Sequence, residues 1–202
     1  GLSVRHLQCS SMRPVPYTAN NEVTLLETGL ALFPALIAAI DGAQYDVYFE
    51  TYIFADDEVG RAVEAALIRA GQRGVKVRVV IDWWGTGNAT IKRLGAAFLL
   101  DSVRFRAFNA WFRRGVSRTH RKIAVIDGCV GFLGGMNIAD RYVRGTRWGT
   151  WRDTHFRIEG SGAAGLQASF LSDWSATTKQ QIAAAEYYPP AARFTDNIMQ
   201  IV

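Results

Sequence analysis

The chain has 202 residues, enough for one sizeable domain or two small ones. Hydrophobic residues make up 49% of it, which excludes an intrinsically disordered chain. The net charge of +5, from 23 Lys and Arg against 18 Asp and Glu, mildly favours anionic partners, and the absence of a long apolar run predicts no transmembrane helix.

Strands and helices alternate along the first half of the predicted structure. Residues 1–21 form an irregular lead, and a single domain covers residues 22–202. Alternating apolar runs predict strands, and apolar residues three and four apart predict helices. In chain order these are a strand and turn over 23–29, helix 30–41, strand 45–54, helix 56–74, strand 75–82, helix 88–98 and strand 103–108. The pattern predicts an α/β fold with a mixed, largely parallel β-sheet and helices on both faces.

The second half of the chain departs from this alternation. A hairpin over 119–137 is followed by strand 153–160 and helix 162–179. The segment 186–202 ends in a strand-like apolar run. Because a domain seldom ends inside a strand, we expect the sequence to continue past Val202.

The hairpin is predicted by Asp127-Gly128, which lies between two apolar runs. A type I′ turn needs positive φ at both central positions, and Asp-Gly is a favoured pair for it. A two-residue loop pairs Ile126 with Cys129 and brings the two ends of the 119–137 segment together.

The polar groups of this hairpin suit the binding and transfer of a phosphoryl group. His120 and Lys122 are two residues apart, so their side chains leave the same face of the strand. An imidazole can attack phosphorus, and an ammonium can stabilise the growing charge on a non-bridging oxygen. The glycine pair Gly134 and Gly135 lets the backbone approach an anion, and Asn137 offers an amide donor before a short helix.

Asp127 is expected to have a different role. It lies seven residues beyond His120, about 23 Å along an extended strand, and on the opposite face. We therefore expect Asp127 to stabilise the turn and not to orient the histidine.

These residues resemble the motif of the phospholipase D superfamily, which is His-x-Lys, then Asp, then Gly-Gly-x-Asn at matching spacing. Three further segments resemble the bacterial cardiolipin synthase branch, and the resemblance covers residues 22–202. These segments are "ETYIFADDEVG", "WRDTHFRIEG" and "FLSDW". The resemblance implies a phospholipase D-like α/β/α sandwich.

The resemblance also implies a mechanism that needs no metal and no cofactor. His120 would be the nucleophile and form a phosphohistidine, while Lys122 and Asn137 would hold the phosphoryl oxygens. A second histidine, from a second copy of the motif, would protonate the leaving alcohol. Asp153 matches the carboxylate that binds the histidine of the opposite copy, although a turn carboxylate is the alternative.

Five further residues are candidates for the site. Glu50 lies on an otherwise apolar strand, and either a catalytic role or a structural ion pair would explain it. Trp83 and Trp84 follow a strand end and would contact lipid or pack in the core. Arg114, among aromatic residues just before the motif, would meet an anionic bilayer surface, stack on single-stranded nucleic acid or lie in a packed loop with solvated charge. Arg152 would belong to an electropositive rim that suits any phosphodiester.

The chain carries one copy of the motif, because His6 and His155 lack the residues that would complete another. Two chains would share one site as a homodimer, or a second half would complete the site in cis. The cardiolipin-synthase-like segments favour the missing half, in which case the chain alone would be nearly inactive.

The function predicted first is phosphatidyl transfer of the cardiolipin synthase type. It predicts a phospholipid substrate and a bacterial protein bound peripherally at the cytoplasmic side of a membrane. A homodimeric endonuclease of the same superfamily and an inactive module that binds anionic surfaces are the alternatives. Aromatic and apolar residues near the motif favour lipid over nucleic acid.

Overall fold

The computed structural model describes residues 18–109, 117–145, 149, 151–183 and 197–199. Within these residues the strands are β1 (Thr18–Leu26), β2 (Asp46–Thr51), β3 (Lys76–Asp82), β4 (Arg104–Phe108), β5 (Ile123–Ile126), β6 (Val130–Gly134), β7 (His155–Gly160) and β8 (Asn197–Met199). The helices are α1 (Gly29–Gly42), α2 (Glu58–Gln72), α3 (Trp83–Thr86), α4 (Asn88–Leu100), α5 (Arg141–Arg144) and α6 (Gly162–Thr178).

The strands described form one sheet in the order β4-β3-β2-β5-β6-β7-β1-β8. Only β2, β3 and β4 pair in parallel. The remaining neighbours pair antiparallel. The carboxyl ends of β2 and β3 therefore meet at the edge of the sheet where the segment before β5 enters.

Helices cover both faces of this sheet. On one face α1, α2 and α4 bury a continuous apolar core against the sheet, with residues such as Leu36, Leu67 and Phe98. On the other face α6 packs through Leu166, Phe170 and Trp174. None of the helices in the described part of the chain combines the length and apolar character that a bilayer crossing requires.

The fold class predicted from the sequence, a mixed sheet between helices, is confirmed. Parallel pairing is less extensive than the alternation of elements indicates, because β1 does not pair with β2. It lies across the sheet and pairs antiparallel with β7, where Leu26 faces His155. β1 also begins at Thr18, inside the segment expected to be an irregular lead.

The hairpin forms at the predicted place but with a different register. Asp127 and Gly128 have φ values of 52° and 65°, as the predicted turn requires. Ile126 pairs with Val130, however, and not with Cys129. Cys129 is therefore a third loop residue, and its carbonyl accepts the N–H of Gly160 in β7. The prediction of a two-residue loop is therefore wrong by one position.

The carboxylate of Asp127 organises the loop between α1 and β2. Its Oδ1 accepts the N–H groups of Tyr45 at 2.7 Å and Asp46 at 3.0 Å, and its Oδ2 accepts that of Gln44 at 2.9 Å. These contacts agree with the predicted structural role, and they join the hairpin turn to a segment more than eighty residues away.

Replacing Asp127 with Ala should lower the stability of the fold by about 2 kcal/mol, because three backbone donors lose a charged acceptor. Asp127→Asn is the matched control, since Asn tolerates positive φ and keeps one acceptor oxygen. Urea unfolding at neutral pH measures both. Equal stability of wild type and the Ala variant would show that these hydrogen bonds are unimportant.

Candidate active site at the carboxyl edge of the sheet

Thr119, the residue before His120, is fastened to the ends of two parallel strands. Its N–H donates to Oδ2 of Asp82, the last residue of β3, at 3.1 Å. Its hydroxyl donates to Oε1 of Glu50, near the end of β2. Thr119, Asp82 and Glu50 are all buried, so these bonds lie in a low-dielectric environment. They hold the start of the motif at the edge of the sheet.

His120 and Lys122 lie side by side, but both precede β5, so neither is in a strand as predicted. The Lys122 Nζ is 3.2 Å from Nδ1 of His120 and donates to the His120 carbonyl at 2.6 Å. The aromatic ring of Tyr52 contacts both residues, at 4.6 Å from the imidazole centroid and 5.6 Å from Nζ. The histidine is exposed while the lysine is buried. A cation and an imidazole therefore share one open edge of the protein.

The burial of Lys122 lowers the pKa of its ammonium, and the nearby carboxylate of Asp153 opposes that shift. Asp153 therefore supports the charged form that binds an anion. It is half-buried and its Oδ1 accepts the N–H of Thr154 at 2.7 Å. Among the described residues no carboxylate makes a hydrogen bond to the ring of His120.

The two motif glycines permit close packing of protein against protein. A Cβ on Gly134 would lie 2.3 Å from the Thr154 carbonyl oxygen, and a Cβ on Gly135 would lie 2.2 Å from Oδ1 of Asp153. The N–H of Gly135 donates to the Thr154 carbonyl at 2.9 Å. The bare backbone thus admits the segment that carries Asp153, rather than leaving room for a ligand at the Cβ positions.

His155 is a buried neutral histidine that the sequence did not reveal as part of the site. Its Nδ1 accepts the N–H of Met136 at 3.3 Å. Burial lowers its pKa to about 4, with a further lowering from Lys122 and an opposing effect of Asp153. The imidazole therefore stays uncharged at neutral pH and does not compete with Lys122 for an anion.

Asn137 is held by two neighbours. Its Oδ1 accepts the N–H of Ile53 at 3.0 Å, and its Nδ2 donates to the hydroxyl of Tyr142 at 3.0 Å. Ile53 follows β2 and Tyr142 lies in α5, so Asn137 joins the end of the hairpin to the region around Tyr52. One of its amide hydrogens is therefore already engaged, which limits its predicted role as a phosphoryl donor to the other.

Glu50 lies in β2, where it contacts Thr119, and it does not form an ion pair with Lys122. Burial, followed by the neighbouring charge of Asp173, raises the pKa of Glu50 to about 9. The bond from Thr119 and the charge of Arg121 oppose this shift, the latter more weakly. At neutral pH the Glu50 side chain is thus a protonated acid.

Two clefts open beside His120. One, of about 210 Å³, lies between the hairpin and α6 and is lined by His120, Arg121, Lys122, Ile123, Leu133, Gly134, Leu166 and Ser169. The other, of about 400 Å³, is lined by Phe108, Ser117, Arg118, Thr119, His120, Arg121 and Asp173. The apolar side chains of Ile123, Leu133 and Leu166 line the first cleft together with His120 and Lys122.

The predicted substrate-contacting residues occupy different environments. Trp83 packs against the core, whereas Trp84 is 58% exposed and lies 5.4 Å from the guanidinium of Arg118. Arg152 is exposed. Arg114 lies outside the described residues. Trp84 is therefore the more exposed of the two tryptophans.

The described fold is shared with members of the phospholipase D family. The structure of the phospholipase D family member Nuc from Salmonella typhimurium superposes with a TM-score of 0.62 at 19% identity, covering 77% of this chain and 95% of that one. This likeness shows the fold.

Sequence comparison identifies the family. The family model described as "Cardiolipin synthase, PLD-like domain" matches residues 36–174, and the chain belongs to this family. It is 40% identical over 172 residues to cardiolipin synthase A of Pseudomonas putida, covering 82% of the chain and 36% of that protein. It is 35% identical over 191 residues to cardiolipin synthase of Oceanobacillus iheyensis, covering 92% of the chain and 40% of that protein. The chain thus spans less than half the length of either relative.

Gly134→Ala should destabilise the protein by about 1–3 kcal/mol, because its Cβ meets backbone atoms that have no room to move. Gly42→Ala is the matched control, since nothing lies within 4 Å of its Cβ position. Thermal unfolding compares the two variants. If Gly134→Ala is as stable as Gly42→Ala, the close packing against Thr154 is not required.

The buried His155 predicts a loss of stability on acidification. Its pKa is lowered from 6.5 to about 4, so the unfolded chain takes up a proton first. Relative to His155→Asn, the free energy of unfolding of wild type should fall between pH 6.5 and pH 4, by roughly 3 kcal/mol in total. His155→Asn keeps an acceptor near the Nδ1 position and should reduce this dependence. Urea unfolding across this range tests it, and identical slopes for wild type and variant would contradict it.

Proposed function

We propose that this chain carries one half of a site that transfers phosphodiesters of phospholipids through a phosphohistidine on His120. The observation that supports this most is the 3.2 Å approach of the Lys122 ammonium to the His120 ring on an anchored, open edge of the sheet. An exposed imidazole and a buried cation at one point suit nucleophilic attack on an anionic phosphorus centre.

In the proposed reaction a ring nitrogen of His120 forms a bond to phosphorus as the bond to the leaving alcohol oxygen breaks. Lys122 stabilises the non-bridging oxygens, whose charge increases in the transition state. An acid supplies the proton that the leaving alkoxide needs. The same group then removes the proton from an incoming alcohol, which takes the phosphoryl group and frees His120. Water in place of the alcohol gives hydrolysis.

The resting arrangement supports the need for a second motif. A charged Lys122 can only donate, so Nδ1 of His120 is the acceptor in their contact and a neutral ring carries its proton on Nε2. A carboxylate that accepts from Nδ1 would reverse this tautomer and release Nε2 for attack. We propose that a second motif supplies both this carboxylate and the acid. In the same way, Asp153 of this chain would accept a hydrogen bond from the histidine of the second motif. The short span of the chain relative to its curated relatives favours a second half over a second copy.

The walls of the site support a lipid substrate. Ile123, Leu133 and Leu166 line the cleft of about 210 Å³ next to the reactive pair. Trp84 is exposed and lies beside Arg118, a combination that suits the interface between headgroups and acyl chains. We propose a phosphatidyl donor of the cardiolipin synthase type, approached by a protein bound peripherally at the cytoplasmic membrane surface.

An activated diester tests the nucleophile without the missing acid. Bis(4-nitrophenyl) phosphate has a leaving group that departs without protonation, so the chain alone should release nitrophenolate in a burst of one per chain. The burst should be slower than with the carboxylate that frees Nε2, and later turnover should be slower still. His120→Asn should abolish the burst, and mass spectrometry should locate the adduct on His120. Asp127→Asn is the control that should retain the burst.

The same assay tests the substrate class. Short-chain phosphatidylglycerol should suppress the burst by competition, while a dinucleotide at equal concentration should not. A burst that persists in His120→Asn would contradict the nucleophile assignment. Competition by the dinucleotide alone would contradict the lipid assignment and favour a nuclease.

A further inference from the structure

Two acidic side chains hold the residues on either side of His120. Glu50 accepts the hydroxyl of Thr119, and Asp173 of α6 forms an ion pair with Arg121. Thr119 and Arg121 are the immediate chain neighbours of the proposed nucleophile. The position of the imidazole therefore depends on where these two carboxyl groups lie.

Each acid is fixed by a rigid element. Glu50 is the fifth residue of β2, pairs with Ile123 of β5 and is 1% exposed. Asp173 precedes Trp174, which is 1% exposed and stacks on Phe170 at 6.1 Å in the core beneath α6. The sheet thus fixes the contact of Glu50 with Thr119, and α6 fixes the contact of Asp173 with Arg121.

The two acids also face each other. Oε1 of Glu50 accepts from Thr119, while its buried Oε2 has no hydrogen-bond partner of normal geometry among the described residues. Asp173 acts on Glu50 both through its charge and as a hydrogen-bonding neighbour, and both effects favour the protonated form of Glu50. The buried Glu50 beside this second acid therefore keeps its own proton at neutral pH.

We propose that Glu50 is a positioning residue whose proton bridges to Asp173, so that one acid pair fixes both Thr119 and Arg121 and thereby His120. The consequence for catalysis rests on the proposed function of His120. The existence of the acid pair does not rest on that function, because its proton changes the free energy of unfolding even with no substrate present.

Other charged groups surround Glu50 from each neighbouring element. Arg121 before β5 and Asp173 on α6 act on it directly, and the former favours ionisation while the latter opposes it. Lys122 and His155 line the same small cavity as Glu50. Asp82 at the end of β3 contacts the backbone of Thr119. Between pH 7 and 8.5 His155 is already neutral, so its titration does not overlap with that of Glu50.

The first test detects the Glu50 proton through the pH dependence of the unfolding equilibrium of this chain. The folded state keeps the Glu50 proton up to about pH 9, whereas the unfolded chain releases it near pH 4.5. Stability from this proton is therefore present at low pH and lost as pH rises. Relative to Glu50→Gln, the unfolding equilibrium constant of wild type should rise about tenfold per pH unit between pH 7 and 8.5. If the unfolding equilibrium constants of wild type and Glu50→Gln change equally with pH, the proposal that Glu50 holds a proton shared with Asp173 is wrong.

The second test measures positioning by the rate of the nitrophenolate burst. Glu50→Gln keeps a neutral acceptor for Thr119 and a donor toward Asp173, so it should retain the wild-type rate near neutral pH. Glu50→Leu should lower the rate by more than about tenfold, and Thr119→Val should lower it in the same direction. Unfolding curves establish that each variant is folded before its rate is compared.

A rate for Glu50→Gln as low as that of Glu50→Leu would overturn the proposal, because it would show that an ionised carboxylate is required. A burst rate of folded Glu50→Leu equal to that of wild type would also overturn the proposal. Absence of a burst in wild type would instead contradict the function proposed for His120. The pH dependence of unfolding would still report on Glu50 in that case.

Discussion

The hydrogen bonds to Thr119 are the constraint on which the site depends. They tie the entry of the motif segment to Asp82 and Glu50, at the carboxyl ends of two parallel strands. Without these bonds the exposed His120 would sit on an unsupported loop end. With them, the ring and the Lys122 ammonium are presented at the edge of a rigid sheet, where ligands of open α/β sheets usually bind.

The opposite wall of the site is built by close packing. Gly134 and Gly135 let the segment that leads into β7 lie against the hairpin, and this brings Asp153 and His155 near Lys122. The charge of Asp153 favours the ammonium, and burial keeps His155 neutral. The electrostatic environment of Lys122 therefore follows from backbone contacts that only glycine allows.

Local sequence signals predicted the parts of the fold that depend on neighbours in the chain. The Asp127-Gly128 turn and the contact of His120 with Lys122 are examples, because turn conformation and the proximity of side chains two residues apart are local properties. The predicted register was wrong by one residue, since Cys129 is in the loop, where its carbonyl accepts from Gly160 of β7, a contact that no local pattern reveals. The position of β1 was similarly decided by pairing across the sheet.

The partners of buried polar groups were the least predictable part of the site. Glu50 was recognised as unusual on its strand, but its neighbour Asp173 is more than a hundred residues away on a helix. His155 carried no signal, since a single histidine in a strand has the same pattern whether buried or exposed. The sequence showed the spacing of Gly134 and Gly135. Only the structure shows why glycine is needed there, which is the close packing against Thr154 and Asp153.

The most direct measurement is a crystal structure of this chain with vanadate, which mimics the pentacoordinate phosphoryl group. The account predicts vanadium bonded to a ring nitrogen of His120, with the Lys122 Nζ moved from the His120 carbonyl to a vanadate oxygen. Vanadate bound away from the carboxyl edge of the sheet, or bound there with Lys122 still on the carbonyl, would contradict it.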